Sequence, residues 1–298
     1  MRLLVLGGTG FVGGATVAEA LRRGWSVTVF NRGLHGAVPD GVRRLRGDRS
    51  APDGLSALAG GEWDVTIDTW DGAPRAVLNA ARALVGSTGH YVYVSSRSVY
   101  REPVALGADE HAPVVDAASN ALDGSYAGLK AGGEQAAQEL FGERALIARV
   151  GLILGPGEDI GRLPWWLQRV ARGGQVLAPA PADLPLQYID VRDLVTWLLD
   201  RGRERVGGTF NVVSRAGRTR QGCAAARWRG RSPTLGSGCA PSAGCHRAPA
   251  ARNGPRWDWT QRVRPNCLRR HEAPFGTTAD RHHLAGVPPR AGCGNPGG

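Results

Sequence analysis

Leu3, Leu4, Val5 and Leu6 form a short apolar run, and glycines follow at Gly7, Gly10 and Gly13 in the spacing G-x-x-G-x-x-G. The run predicts a buried strand, and Val12, Val17, Ala18 and Leu21 then predict the apolar side of a helix. Glycine at Gly7 permits a sharp strand-to-helix turn. At Gly10 it lets backbone N–H groups approach a pyrophosphate, and at Gly13 it lets the helix pack close to the strand. The N-terminus of that helix carries the partial positive charge that attracts phosphate. A glycine turn in this context predicts a dinucleotide site, with Gly7, Gly10, Phe11, Val12 and Gly13 at its phosphate-binding part.

The 298 residues can hold one domain or two. A net charge of +11, evenly spread, would point to nucleic acid or an anionic surface. It is not evenly spread. Residues 215–298 contain 15 Arg against 3 Asp or Glu, whereas residues 1–214 carry 22 basic and 23 acidic side chains. All five cysteines (Cys223, Cys239, Cys245, Cys267 and Cys293) also lie in the later part. No apolar run approaches the roughly 18–20 residues of a membrane span, so no membrane partner is expected. A cysteine-free first part with a nucleotide motif points to the cytoplasm.

Further strands are expected at Ser26–Phe30, Val42–Leu45, Asp64–Asp68, His90–Ser95, Ala145–Val150 and Gly208–Val213, with helices at Pro74–Val85, Tyr126 to about Phe141 and Leu163–Arg172. Gln187–Leu194 reads as a short extended piece followed by a helix, with Asp190 as its N-cap. Alternating strands and helices imply a parallel sheet covered on both faces. The second strand ends at Asn31 and Arg32, where an acidic residue would hold the 2′-hydroxyl of NAD. Arg32 can instead pair with the 2′-phosphate of NADP, so NADP is favoured, with NAD as the alternative. Asp48, after the third strand, can accept a hydrogen bond from an adenine amino group or cap the next helix. Trp165 and Trp166 are expected to pack, or else to line a substrate pocket.

Ser95 and Ser96 stand at the carboxyl end of the fifth strand, the edge that faces a ligand crevice. Tyr126 and Lys130, four apart, share one face of the following helix. An ammonium close to a phenol makes that phenol a usable acid/base near neutral pH, and the ammonium can also bond a ribose. Lys130 is the only lysine in the chain; every other basic side chain of that kind is arginine. A single exception at this position suggests chemistry that needs a compact, rotatable ammonium.

Together these pieces resemble the extended short-chain dehydrogenase/reductase superfamily, also called the NAD-dependent epimerase/dehydratase family. The resemblance rests on the glycine turn with Phe11-Val12-Gly13, Ser95-Ser96 through Val99-Tyr100, and Tyr126 with Lys130. Arg149 before Gly155-Pro156 and the stretch Gln187–Leu194 support it, and it covers residues 1–214. It implies a Rossmann-type doubly wound α/β parallel sheet over residues 1–150 and a small, incomplete C-terminal substrate lobe over residues 151–214. It also implies catalytic roles: Ser96 as the hydroxyl that orients a small substrate, Tyr126 as acid/base, and Lys130 as its partner on the nicotinamide ribose. The expected activity is an NAD(P)-dependent oxidoreductase, epimerase or dehydratase acting on a hydroxyl or carbonyl carbon of a small, sugar-nucleotide-like substrate. A homodimer is compatible with it. Asn-Arg-Gly after the second strand is similar to a reductase-like branch. Where the family usually has small residues after the fourth strand, this chain has Trp70 and Asp71.

Residues 215–298 are an irregular tail dominated by Arg, Gly, Pro, Ala and Cys. A basic nucleic-acid-binding tail is one reading, and with it a catalytically impaired nucleotide-binding protein that binds RNA. A metal site from Cys239, Cys245, His246, Cys267 and His271 is a second, but no paired C-x-x-C supports it, and no metal is expected. The abrupt onset of every cysteine and of the whole positive excess favours a third, a frameshift near residues 215–222.

Overall fold

In the computed structural model, seven parallel strands form one sheet in the order β10-β6-β5-β4-β1-β2-β3. They are β1 (Arg2–Leu6), β2 (Ser26–Asn31), β3 (Arg43–Arg46), β4 (Trp63–Asp68), β5 (Thr88–Ser96), β6 (Ala145–Val150) and β10 (Gly208–Val212). The structure describes residues 1–34, 36–105, 107–176, 185–214 and 218–219. The expectations for the tail fall almost wholly outside these residues.

Side chains alternate across each strand, so β1 feeds both layers of core. Leu3 and Val5 join Val17, Val29, Ile67, Leu194 and Leu198 on the face covered by α1 (Phe11–Arg22) and α5 (Val191–Arg203). Leu4 and Leu6 join Phe30, Val77, Leu84, Tyr91 and Phe141 on the other face, under α2 (Pro74–Leu84) and α3 (Tyr126–Phe141). Leu194, Leu198 and Leu199 are wholly buried; each contributes roughly 1.5–3 kcal/mol of burial.

Local chemistry sets the helix starts. Pro74 opens α2, where a missing N–H costs nothing. Ser125 caps α3, its Oγ accepting from Gly128 N at 3.2 Å, so Tyr126 is the first helical residue and Lys130 stands one turn later. Asp190 caps α5, its carboxylate accepting from Arg192 N at 2.9 Å. On the expected apolar side of α1, Val12, Val17 and Leu21 pack on the core, and Ala18 alone needs correction. The buried residues of the helix are Gly13, Thr16, Val17 and Ala20, and Ala18 faces solvent. Small residues line that contact because the helix lies close to the glycine turn.

Between β6 and β10 the chain adds β7 (Leu152–Leu154), α4 (Arg162–Ala171), β8 (Pro185–Leu186) and β9 (Tyr188–Asp190), and β7 pairs with β9 in parallel. β8 pairs antiparallel with β11 (Arg218–Thr219). The expectation that Trp165 and Trp166 pack does not hold among the described residues. α4 buries none of its residues, and the two indoles, 56% and 37% exposed, meet edge to face at 4.8 Å. No helix among the described residues is long and apolar enough to cross a membrane.

Two glycines of the turn differ in what requires them. A Cβ on Gly13 would lie 2.6 Å from Gly8 N, whereas one on Gly10 would meet nothing within 4 Å. Gly13→Ala should therefore cost about 1–3 kcal/mol through overpacking. Gly10→Ser, which supplies a good N-cap side chain, should leave stability unchanged or raise it. Urea unfolding of both variants checks the contrast, and equal losses would refute it.

Candidate functional site

The carboxyl ends of β1, β2 and β4 lie side by side, with Leu6 in register with both Phe30 and Asp68. The strand order reverses between β1 and β4, which opens a crevice at this edge. A cleft of about 220 Å³ occupies it, lined by Gly7, Gly10, Arg32, Asp48, Arg49 and Trp70 among others. Gly10 forms the N-cap of α1 with no side-chain cap, and the first turn of α1 holds no acidic residue. Its N–H groups therefore remain available to an anion.

The predicted cofactor residues fall into three groups. Gly7, Gly10, Arg32 and Asp48 line the cleft. Phe11, Val12 and Gly13 form the first turn of α1; the Val12 side chain packs on the core, and Gly13 makes the close contact already described. Asn31 lines the cleft too, but its amide is committed within the chain. Nδ2 donates to Gly7 O and Oδ1 accepts from Gly33 N, both at 2.9 Å. It therefore pins the end of β2 to the glycine turn. Asp48 accepts from Ser50 N at 2.9 Å, closing a tight turn and not capping a helix.

Sequence reasoning missed the floor of the cleft. Asp68 is wholly buried at the end of β4. It accepts from Arg49 Nη1 and Nη2 at 2.9 and 3.0 Å, from Tyr91 OH at 2.6 Å and from Trp70 N at 3.0 Å. Arg49 also lies over the Trp70 ring at 5.1 Å. Burial, then the neighbouring carboxylate, pushes the Tyr91 phenol well above its ordinary range, so it stays a donor. A carboxylate at the end of a strand that is otherwise buried beyond Asp64 was the local signal.

At the ends of β5 and β6 the three predicted catalytic residues occupy different settings. Ser96 is buried, and its Oγ accepts from Ser98 N at 3.1 Å. Tyr126 is 52% exposed. Lys130 is buried, and its Nζ donates to Trp70 O at 2.6 Å and Val94 O at 2.8 Å. Two of its three protons are thus spent on backbone and one remains. One turn further along α3, Glu134 is buried against Arg149, with Nη2–Oε2 at 2.8 Å, and accepts from Ser95 Oγ at 2.5 Å. This pair braces the strand ends beneath Ser96.

Burial lowers the Lys130 pKa to about 8, against the opposing attraction of Asp71, Asp68 and Glu134. In the unfolded chain the proton is held up to about pH 10.4. Across that window the unfolded state binds more protons, so stability rises with pH. Urea unfolding from about pH 7 to about pH 10 should show the wild type gaining on Lys130→Met above about pH 8. A flat or shrinking difference would show that the ammonium is not desolvated.

The profile of the NAD dependent epimerase/dehydratase family matches residues 3–212. No curated protein sequence matches the chain. Among solved structures, a Burkholderia cenocepacia J2315 protein assigned as an epimerase is similar at 24% identity and TM-score 0.65, over 76% of this chain and 80% of that one. UDP-glucose 4-epimerase from Thermus thermophilus, in complex with NAD, is similar at 24% identity and TM-score 0.60, over 78% and 85%. UDP-N-acetylglucosamine 4-epimerase from Bacillus cereus matches at 17% identity and TM-score 0.60, over 74% and 80%.

Proposed function

Because the chain belongs to the NAD dependent epimerase/dehydratase family, we propose that it binds a nicotinamide dinucleotide in the cleft at the glycine turn. There it catalyses proton-coupled hydride exchange at a hydroxyl or carbonyl carbon of a small, sugar-nucleotide-like substrate. The observation that carries this reading is the open cradle at Gly10. The backbone there has φ −84°, which any residue adopts, and a side chain would meet nothing within 4 Å. The chain's own packing therefore does not require glycine at that point. A pyrophosphate seated against the uncapped N-terminus of α1 does.

The bound dinucleotide supplies the hydride acceptor and donor. The chain's residues supply the rest. Tyr126, half exposed at the first turn of α3, takes or returns the proton of the substrate hydroxyl. Lys130, with one donor still uncommitted, offers positive charge on the same helical face. Ser96, at the carboxyl end of β5, orients the substrate oxygen. Arg32 at the cleft edge favours the 2′-phosphate of NADP over NAD. The substrate class is supported by the UDP-sugar epimerases among the structural neighbours.

Tyr126→Phe should lower turnover roughly 10²–10⁴-fold while leaving the nucleotide-induced rise in melting midpoint unchanged. Gly10→Ser should keep or raise the nucleotide-free midpoint and lose the nucleotide-induced rise, worth about 2.7 kcal/mol at a hundredfold excess over Kd. The assays are calorimetry with NAD⁺ or NADP⁺ and interconversion of UDP-hexose epimers followed chromatographically. Wild-type turnover in Tyr126→Phe would remove the tyrosine from the chemistry. An undiminished shift in Gly10→Ser would remove the cradle.

A further inference from the structure

We infer that Arg46 is a second specificity-determining cation of the cleft, closing with Arg32 on a phosphate at the ribose 2′ position; this rests on the dinucleotide reading above. The residue lies at the end of β3, and its register partner across the ladder is Asn31, the last residue of β2. The chain leaving β2 therefore passes directly over Arg46. A Cβ on Gly33 would lie 3.1 Å from Arg46 Nε and 3.4 Å from its Cζ. Gly33 takes φ +75° there, and lacking a side chain it lets the guanidinium lie against the backbone. Gly33, packed against Arg46, and Gly47, next to it in the chain, both line the cleft, as does Arg32; Arg46 itself stands just outside that lining.

The neighbourhood is built to hold this arrangement. Asn31 Oδ1 fixes Gly33 N at 2.9 Å. Arg44, on the same face of β3 as Arg46 by strand alternation, donates from Nη2 to Gly36 O at 2.9 Å and holds the later part of the loop. Other arginines are spent on carboxylates: Arg49 on Asp68, Arg149 on Glu134, Arg192 on Asp190. Among the described residues, neither Arg32 nor Arg46 makes an ion pair, and both are exposed. Asp48 and Asp71 line the cleft as well but pair with neither. Two unpaired planar cations, one next to a pinned glycine in the chain and one packed against it, match a dianionic phosphate better than a neutral ribose hydroxyl.

The test is titration of the full-length chain with NADP⁺, NAD⁺, 2′,5′-ADP and 5′-AMP, following tryptophan fluorescence or heat. Arg46→Ala should weaken NADP⁺ and 2′,5′-ADP about tenfold, one charge-assisted hydrogen bond. It should leave NAD⁺ and 5′-AMP within twofold or so, with the melting midpoint unchanged. Arg46→Lys should recover part of the loss, and the wild-type preference for 2′,5′-ADP should shrink as salt rises. Equal loss for all four ligands, or no loss for any, overturns the role of Arg46 and leaves the dinucleotide site standing. A wild-type chain that binds none of the four overturns that site and Arg46 with it.

Discussion

The site depends on one buried carboxylate. Asp68 has no solvent contact, and an ion in that position is costly unless its lone pairs are filled and a countercharge is close. Arg49 supplies the countercharge from the segment after β3, Tyr91 a hydroxyl from β5, and Trp70 a backbone N–H from the turn after β4. Three segments thus supply partners to one side chain at the end of β4, beside the strand ends that open the crevice. Breaking such a pair leaves an uncompensated charge, typically 3–5 kcal/mol. The cleft floor is therefore held far more rigidly than a loop of this length would be by itself.

That rigidity passes to the ammonium of Lys130. Asp68 fixes Trp70 N, and the carbonyl of the same residue accepts from Lys130 and from Tyr93 OH at 3.2 Å. Val94 O holds the ammonium from the other side. The pocket between these carbonyls suits a compact charge on a thin stem; a planar guanidinium with its fixed fork would not enter it. This explains physically why a chain that otherwise uses arginine keeps one lysine here. It also gives the bulky Trp70 a place. The carbonyl of Trp70 holds Lys130 and the ring of Trp70 faces Arg49, so the departure from small residues is absorbed by the Arg49–Asp68 pair.

Much of this was legible along the chain, because strand alternation and helical periodicity are local. The glycine turn, the parallel order of the sheet and the helix that carries Tyr126 and Lys130 follow from patterns spanning a few residues each. Three features were not legible, for one common reason. The Arg49–Asp68 pair joins residues 19 apart, Asn31 to Gly7 joins residues 24 apart, and Lys130 to Trp70 joins residues 60 apart. Spacing in sequence does not encode such partners until the strand order is known. Asn31 shows the difference: its position pointed to a ribose and it does line the cleft, while its amide also ties two backbone groups together, which its position in sequence did not reveal. Ala18 and the tryptophans of α4 show the opposite limit, since apolar character alone does not say which face finds a neighbour.

The same logic separates the arginines. A guanidinium inside the protein must be paired, and Arg49 and Arg149 are, each in a forked geometry with a buried carboxylate. A guanidinium at the cleft edge has no such obligation, because water satisfies it until an anion arrives. Position 31 reinforces the distinction. An acidic side chain there would repel a phosphate and neutralise Arg32; an amide turned inward does neither. Asn31 ties β2 to the glycine turn, and Arg32 lines the cleft just beyond it. On the proposed reading, geometry set by a neutral side chain, with charge left to its neighbours, lets one crevice hold a pyrophosphate at one end and discriminate at the other.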